Sequence, residues 1–220
     1  MRLKQGDGTF IVLTIASIAY GVSQFVGLLK TTAGINISWL ALWEGFMIFN
    51  FLLSLRAYKE AQEMEPGPDR DEKHRKSLQA SVSYGLGGIM NGINTVYLAL
   101  HLQTFDWVDK TNFAFVGIAL VIVLARYYKS LTCPMALACY AILCKAVPQL
   151  FMAWRVGPMG VNPANFLAIL AIGHLLIILR LMILFRSYRA KQEEATKGLI
   201  ISEGANELSW LIVTASWLWF

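Results

Sequence analysis

Residues 22–46 read VSQFVGLLKTTAGINISWLALWEGF, and residues 147–173 read VPQLFMAWRVGPMGVNPANFLAILAIG. The two stretches align as copies. Gln24 meets Gln149 and Lys30 meets Arg155 at one offset; after a one-residue insertion, Gly34, Ile35 and Asn36 meet Gly160, Val161 and Asn162. Further along, Arg56, Ala57 and Tyr58 match Arg186, Ser187 and Tyr188. Each copy is an apolar run, a short turn and a second apolar run, which is the pattern of a duplicated helix pair.

The chain around these copies has the composition of a membrane protein. Of 220 residues 56% are hydrophobic and 15% charged, and the mean hydropathy is +0.52, outside the range of a soluble globular domain. A helix needs about 20 mainly apolar residues to cross the hydrocarbon, because each backbone N–H and C=O must be bonded within the segment. Runs that approach this length lie near 9–29, 37–56, 78–101, 112–129, 133–154, 163–185 and 207–220. The expected fold is therefore all-α and integral to the membrane, with seven transmembrane helices in a 3-1-3 arrangement. Residues 9–101 would form the first three-helix repeat, 112–129 a linker helix, and 133–220 the second repeat running parallel to the first. The first run is followed by further spans and has no small-residue cleavage site, so it reads as a first helix and not a signal peptide. The seventh run is short, and the end at Phe220 reads as a cut chain.

One connection is long. Residues 57–77 carry Pro, Gly and mixed charges; from Arg56 to Lys76 six basic residues face six acidic ones, as expected of a solvated loop whose charges do no chemistry. Loop charges also orient the chain, since cytoplasmic loops retain Lys and Arg. Of the 19 basic residues, fourteen fall on the side of the N-terminus and three, Lys30, Lys110 and Arg155, on the other. Lys145 and Arg180 lie inside spans. The expectation is a plasma (inner) membrane protein with a cytoplasmic N-terminus. The net charge of +5 is distributed between apolar runs and not along one face, so the bilayer, and not nucleic acid, is the expected partner.

Ala146, Val147, Pro148 and Gln149 resemble the Pro-Gln element of the PQ-loop family, and residues 29–39, LKTTAGINISW, resemble the basic turn that follows it. That family includes the SWEET and SemiSWEET sugar transporters and the cystinosin-type carriers. The resemblance covers helices 1, 2, 5 and 6, rather more than a third of the chain. It implies a carrier of a small polar solute such as a sugar, amino acid or vitamin, worked by alternating access between two three-helix repeats. The first copy has Ser23-Gln24 in place of Pro-Gln, so Pro148 is the expected hinge, with Gln149 and Gln24 as the paired motif glutamines. A static kink at a packing contact is the plainer account of Pro148. The charge bias puts both turns outside, the reverse of the sugar-transporter members, which implies either inverted insertion or a charge count misled by a missing end.

Helix 3 reads GLGGIMNGINTVY over 85–97. Asn91 and Asn94 are three apart and share a face, and mid-span carboxamides either bind a polar ligand or bridge helices. Family members use an Asn of the third helix of each unit, with a Trp, to hold sugar. The resemblance therefore implies Asn91, Asn94, Trp39 and Trp43 as substrate-binding residues. Helix 7 offers Trp210 and Trp217 but, over 207–220, no Asn, so an asymmetric site is expected. Ionisable residues at membrane depth are costly and make functional candidates. Glu44, His174 and Lys145 are candidates for proton coupling; buried hydrogen bonds are the plainer account of His174. Lys145 is placed to pair with Glu44 or an anionic substrate group, and Arg180 to snorkel to the cytoplasmic surface.

Cys133, Cys139 and Cys144 lack the spacing of a metal site, and no nucleophile elbow, His-Glu constellation or phosphate loop appears. Neither an enzyme nor a bound cofactor or metal is expected. The expected partners are the bilayer, a small-molecule substrate and protons, with a homo-oligomer left open. The competing reading is a receptor or binding subunit of the same fold that binds without moving its ligand.

Overall fold

The computed structural model describes residues 7–30, 37–101, 107–156 and 163–219, with the side chains of Gln149, 151–170, Val213 and 216–219 excepted. Among them are seven helices: α1 (Asp7–Lys30), α2 (Ile37–Gln62), α3 (Pro68–His101), α4 (Trp107–Arg126), α5 (Pro134–Val156), α6 (Pro163–Ala190) and α7 (Glu194–Trp219). Three begin on proline, whose missing N–H costs nothing in a first turn. α1, α2, α4 and the stretch Ala171–Ala190 of α6 are long and apolar enough to cross a membrane, as a helical membrane protein requires. The repeated turns at 31–36 and 157–162 lie outside the described residues.

An apolar core with polar groups among it is surrounded by large apolar side chains that face outward. On α1 the buried stripe is Leu13, Ser17, Tyr20, Gly21 and Leu28, while Ile11, Val12, Ile15, Ile18, Val22 and Val26 face outward. α4 likewise exposes Ile118, Val121 and Ile122. Asn50, Ser54, Asn91, Asn94, Lys145, Arg180, Glu203 and Asn206 are buried. Apolar side chains outside and polar ones inside is the arrangement that lipid stabilises and water does not.

α1 and α2 pack on α3, and α5 and α6 pack on α7. Between these groups α2 meets α5 and α7, and α6 meets α1 and α3. α4 rests on α5 and α2. It is fixed to the start of α2 by Asp109, whose Oδ1 accepts the Ser38 backbone N–H at 2.9 Å, and by Asn112, which donates to Ser38 Oγ at 3.2 Å. A carboxylate at a helix N-terminus also suits the helix dipole.

Two expectations from hydropathy fail at the helix ends. The segment 57–77 is not a long loop, because α2 continues to Gln62 and α3 begins at Pro68. Pairs spaced for a helix face, Arg56 with Glu60 and Lys76 with Glu72, carry the helices beyond the apolar stretch. Its charges are not all solvated either. Lys73 is fully buried and bonded to Glu193 and Thr196 across the connection between α6 and α7. Burial holds its ammonium below the usual lysine range, and the hydrogen bond with Glu193 opposes that shift. Likewise α7 begins at Glu194, so the seventh helix has 26 residues and spans about 39 Å; the run at 207–220 is only its apolar end.

Close helix contacts depend on glycine at Gly21. A Cβ there would lie 2.7 Å from Met90 Cβ on α3, so α1 and α3 would have to separate. Gly21→Ala is expected to destabilise the protein by about 1–3 kcal/mol, the usual cost of overpacking, read as a lower thermal midpoint in detergent. Lys73→Ala removes one partner of a pair at the edge of the bundle. A loss of about 2 kcal/mol is expected, between the values for exposed and fully buried pairs; an unchanged midpoint would mean that Glu193 finds solvent at no cost.

Candidate functional site

Six helices, all but α4, enclose a cavity of about 40 Å³. Trp43 of α2, Asn91 of α3, Lys145 of α5, Arg180 of α6, and Asn206 and Trp210 of α7 all line it. That volume holds about three water molecules, each needing roughly 10–15 Å³.

Lys145 is buried, and among the described residues its Nζ has no hydrogen-bond acceptor. Indole rings surround it: the Trp43 centroid lies 3.6 Å from Nζ, that of Trp39 5.2 Å and that of Trp210 5.6 Å. Ring faces attract a cation but accept no hydrogen bond of ordinary strength. The pairing with Glu44 considered from the sequence does not occur. The carboxylate of Glu44 instead accepts from Asn91 Nδ2 at 3.0 Å.

Asn91 also donates to the Leu40 carbonyl at 2.9 Å, and its Oδ1 is buried with no donor. Asn94 shares the helix face but does not line the cavity. It donates to Gly21 O and to Gln24 Oε1, both at 3.4 Å, and Gln24 donates to the Tyr20 hydroxyl at 3.0 Å. Gln24 reaches the cavity lining; Asn94 and Trp39 do not. Trp39 packs on Trp43 with ring centroids 5.2 Å apart.

Arg180 does not snorkel to the surface. It is buried, with Nε donating to Ser83 Oγ at 3.1 Å and Nη1 lying 3.5 Å from Glu203 Oε1. Glu203, fully buried, also accepts from the Tyr84 hydroxyl at 2.7 Å and from Asn206 Nδ2 at 3.1 Å. One carboxylate thereby joins α3, α6 and α7. Asn206 keeps a buried Oδ1 with no donor, as Asn91 does. The site thus has an Asn from α3 and an Asn from α7, and the asymmetry expected of helix 7 was an error of its assumed start. Glu203, Asn206 and Glu207 do carry a signal, polar residues at i, i+3 and i+4 leading into an apolar run.

His174 and Glu44 are not brought together. His174 Nδ1 lies 2.7 Å from Glu207 Oε1 and Nε2 lies 2.9 Å from Thr214 Oγ1. Pro148 is buried inside α5, which runs through it without interruption. The side chains of Gln149 and Trp217 lie outside the described residues. Among the described residues no group of three or more His, Cys, Asp or Glu side chains could hold a metal ion.

Comparison with family models, curated proteins and solved structures finds no match. What the site can do follows from its groups alone. Two basic side chains, Lys145 and Arg180, border the cavity, and Glu203 is paired with Arg180. Glu203 and Arg180 satisfy one another, and Lys145 is left with rings for neighbours. The arrangement suits a small polar ligand that takes hydrogen bonds from above Trp43 and gives them to Asn91 and Asn206.

The frame around the ligand groups is separable from them. Tyr84→Phe removes one donor to a buried carboxylate and is expected to cost about 1.5–3 kcal/mol, seen as a lowered thermal midpoint of the purified chain. A shift near zero would mean that Arg180 and Asn206 suffice to hold Glu203.

Proposed function

We propose that the chain is a carrier that moves a small polar solute across a bilayer by exposing this cavity to each side in turn. The observation that carries the reading is the cavity itself, bordered by Asn91 from the third helix and Asn206 from the seventh, each with an unsatisfied carboxamide oxygen. The packing pattern supports the 3-1-3 architecture. Exchanging the first three helices for the last three converts α1 on α3 into α5 on α7, α2 on α3 into α6 on α7, α2 on α5 into α6 on α1, and α3 on α6 into α7 on α2; every one of these contacts occurs. At the offset that aligns Gln24 with Gln149, Tyr20 aligns with Lys145, and both line the cavity. Two equivalent bundles that rock about a shared site are the usual construction of such carriers, and this agrees with the PQ-loop resemblance.

In this reading the cavity, about 40 Å³ here, widens to admit the solute. Lys73 with Glu193 and Thr196 ties α3 to the connection between α6 and α7 at the basic end, where a gate facing the cytoplasm would close. The N-terminus lies on that cytoplasmic side. Glu44 touches the site through Asn91 and is the better placed of the coupling candidates; His174 acts with Glu207 instead. α4 connects the bundles and exposes an apolar face to lipid.

Uptake of labelled solutes into proteoliposomes, with and without a proton gradient, tests the reading. Saturable uptake is expected, reduced about tenfold or more by Asn91→Ala and by Asn206→Ala, since each leaves a ligand donor unpaired. Both variants should also lower the thermal midpoint, Asn206→Ala by about as much as Tyr84→Phe because each removes one donor to Glu203, so uptake is compared per folded protein. Glu44→Gln should retain uptake and lose its dependence on the gradient. A solute that binds the purified chain and never crosses would replace the carrier with a receptor.

A further inference from the structure

We infer that the cavity is built for a small hydroxylated monocarboxylate, with the ammonium of Lys145 as its counterion. The inference deepens the carrier reading by naming its substrate class, and its binding arm stands without transport.

The charge inventory leads to it. Lys145 is within 1% of complete burial, lines the cavity, and has no acceptor for any of its three N–H groups. Its neighbours there are the rings of Trp43, Trp39 and Trp210. Arg180 is held by Glu203 and Ser83, and Glu203 has both oxygens occupied, by Tyr84 and Arg180 on one side and Asn206 on the other. Glu44 does not line the cavity and its carboxylate is taken by the lining residue Asn91, and His174 is taken by Glu207 and Thr214. Among the described residues Lys145 is left with no acceptor of its own, the nearby Glu203 carboxylate being taken up by others, in a place where an unpaired charge is costly. A ligand with a single negative charge balances it. A phosphate dianion overshoots, and a zwitterionic amino acid leaves the same excess.

The remaining groups set the rest of the ligand. Trp43 Nε1 is a buried donor without an acceptor, and the Oδ1 atoms of Asn91 and Asn206 are buried acceptors without a donor. A carboxylate accepts from Lys145 and from the indole, and hydroxyl groups donate to the two carboxamides. Ring faces on either side exclude water and favour a compact body.

The test uses the purified full chain, with lactate, glycerate and gluconate as probes against lactamide, glycerol, glucose and inorganic phosphate, and calorimetry as the readout. At least one of the three acids should bind about tenfold or more tightly than its neutral counterpart, the scale of one charge-assisted contact. Binding should be lost in Lys145→Met and kept within a few-fold in Lys145→Arg. Because Lys145→Met removes an unpaired buried charge, its thermal midpoint should rise while binding disappears, an opposition that a merely structural lysine would not produce. Should Lys145→Met fail to fold, the comparison of acid with neutral counterpart in the native chain decides alone. Equal binding of acid and neutral solute, preference for phosphate, or no binding of any acid overturns the assignment. In proteoliposomes, an acid that binds but does not cross leaves the assignment standing and ends the carrier reading. A neutral solute that crosses without competition from the acids does the reverse.

Discussion

The buried carboxylate of Glu203 is the interaction on which the interior depends. It has no exposure, accepts from Tyr84 of α3 and Asn206 of α7, and is ion-paired with Arg180 of α6. A single carboxylate so placed costs much to desolvate unless every lone pair is used. Here it is used on three elements at once, so the cost is offset only if those helices keep their relative positions. Two walls of the cavity are thereby held, and Arg180 is neutralised without drawing on Lys145. The separation leaves one cation for a ligand.

The same economy explains why polar groups stay inside. In lipid the outward faces of α1 and α4 gain nothing by being polar, and the helix backbones are already satisfied internally. What distinguishes one helix arrangement from another is the hydrogen bonding of the buried Asn, Ser, Arg and Glu side chains and the close packing that glycine allows, as at Gly21 against Met90. Outside the apolar layer a different device works: Lys73 crosses from α3 to the connection between α6 and α7 through Glu193 and Thr196, which fixes the bundle at its charged end.

The apolar runs were legible because hydropathy is a local property of the chain. Trp43, Asn91 and Lys145 could be singled out as polar or aromatic groups at membrane depth, and all three border the cavity. Asn94, Trp39, Glu44 and His174 satisfied the same criterion and lie behind it, since a face shared on one helix does not say which neighbour that face meets. Hydropathy also measures the thickness of the apolar layer and not the length of a helix. The starts of α3 and α7 were therefore set too late, a solvated loop was expected where Lys73 is buried, and Glu203 and Asn206 fell one turn or less outside the span to which they belong. Arg180 was expected to snorkel because its partner Glu203 was hidden by that same boundary.

In the proposed carrier, duplication supplies the frame, and the places where the copies differ supply selectivity. Asn91 and Asn206 come to one cavity from corresponding helices, as symmetric halves would bring them. Tyr20 and Lys145 occupy matching places on α1 and α5, and both approach Trp43: the phenol edge-on with centroids 5.7 Å apart, the ammonium over the ring at 3.6 Å. A neutral ring on one side and a cation on the other turn a site with two equivalent ends into one with a direction. A ligand with a charged head and an uncharged body can then lie only one way round. Had both positions been tyrosine, the cavity would be neutral and indifferent to orientation; had both been lysine, two unpaired charges within one small cavity would repel at short range in a medium of low dielectric. One lysine is the arrangement that the buried charge balance tolerates while still requiring an anion to complete it.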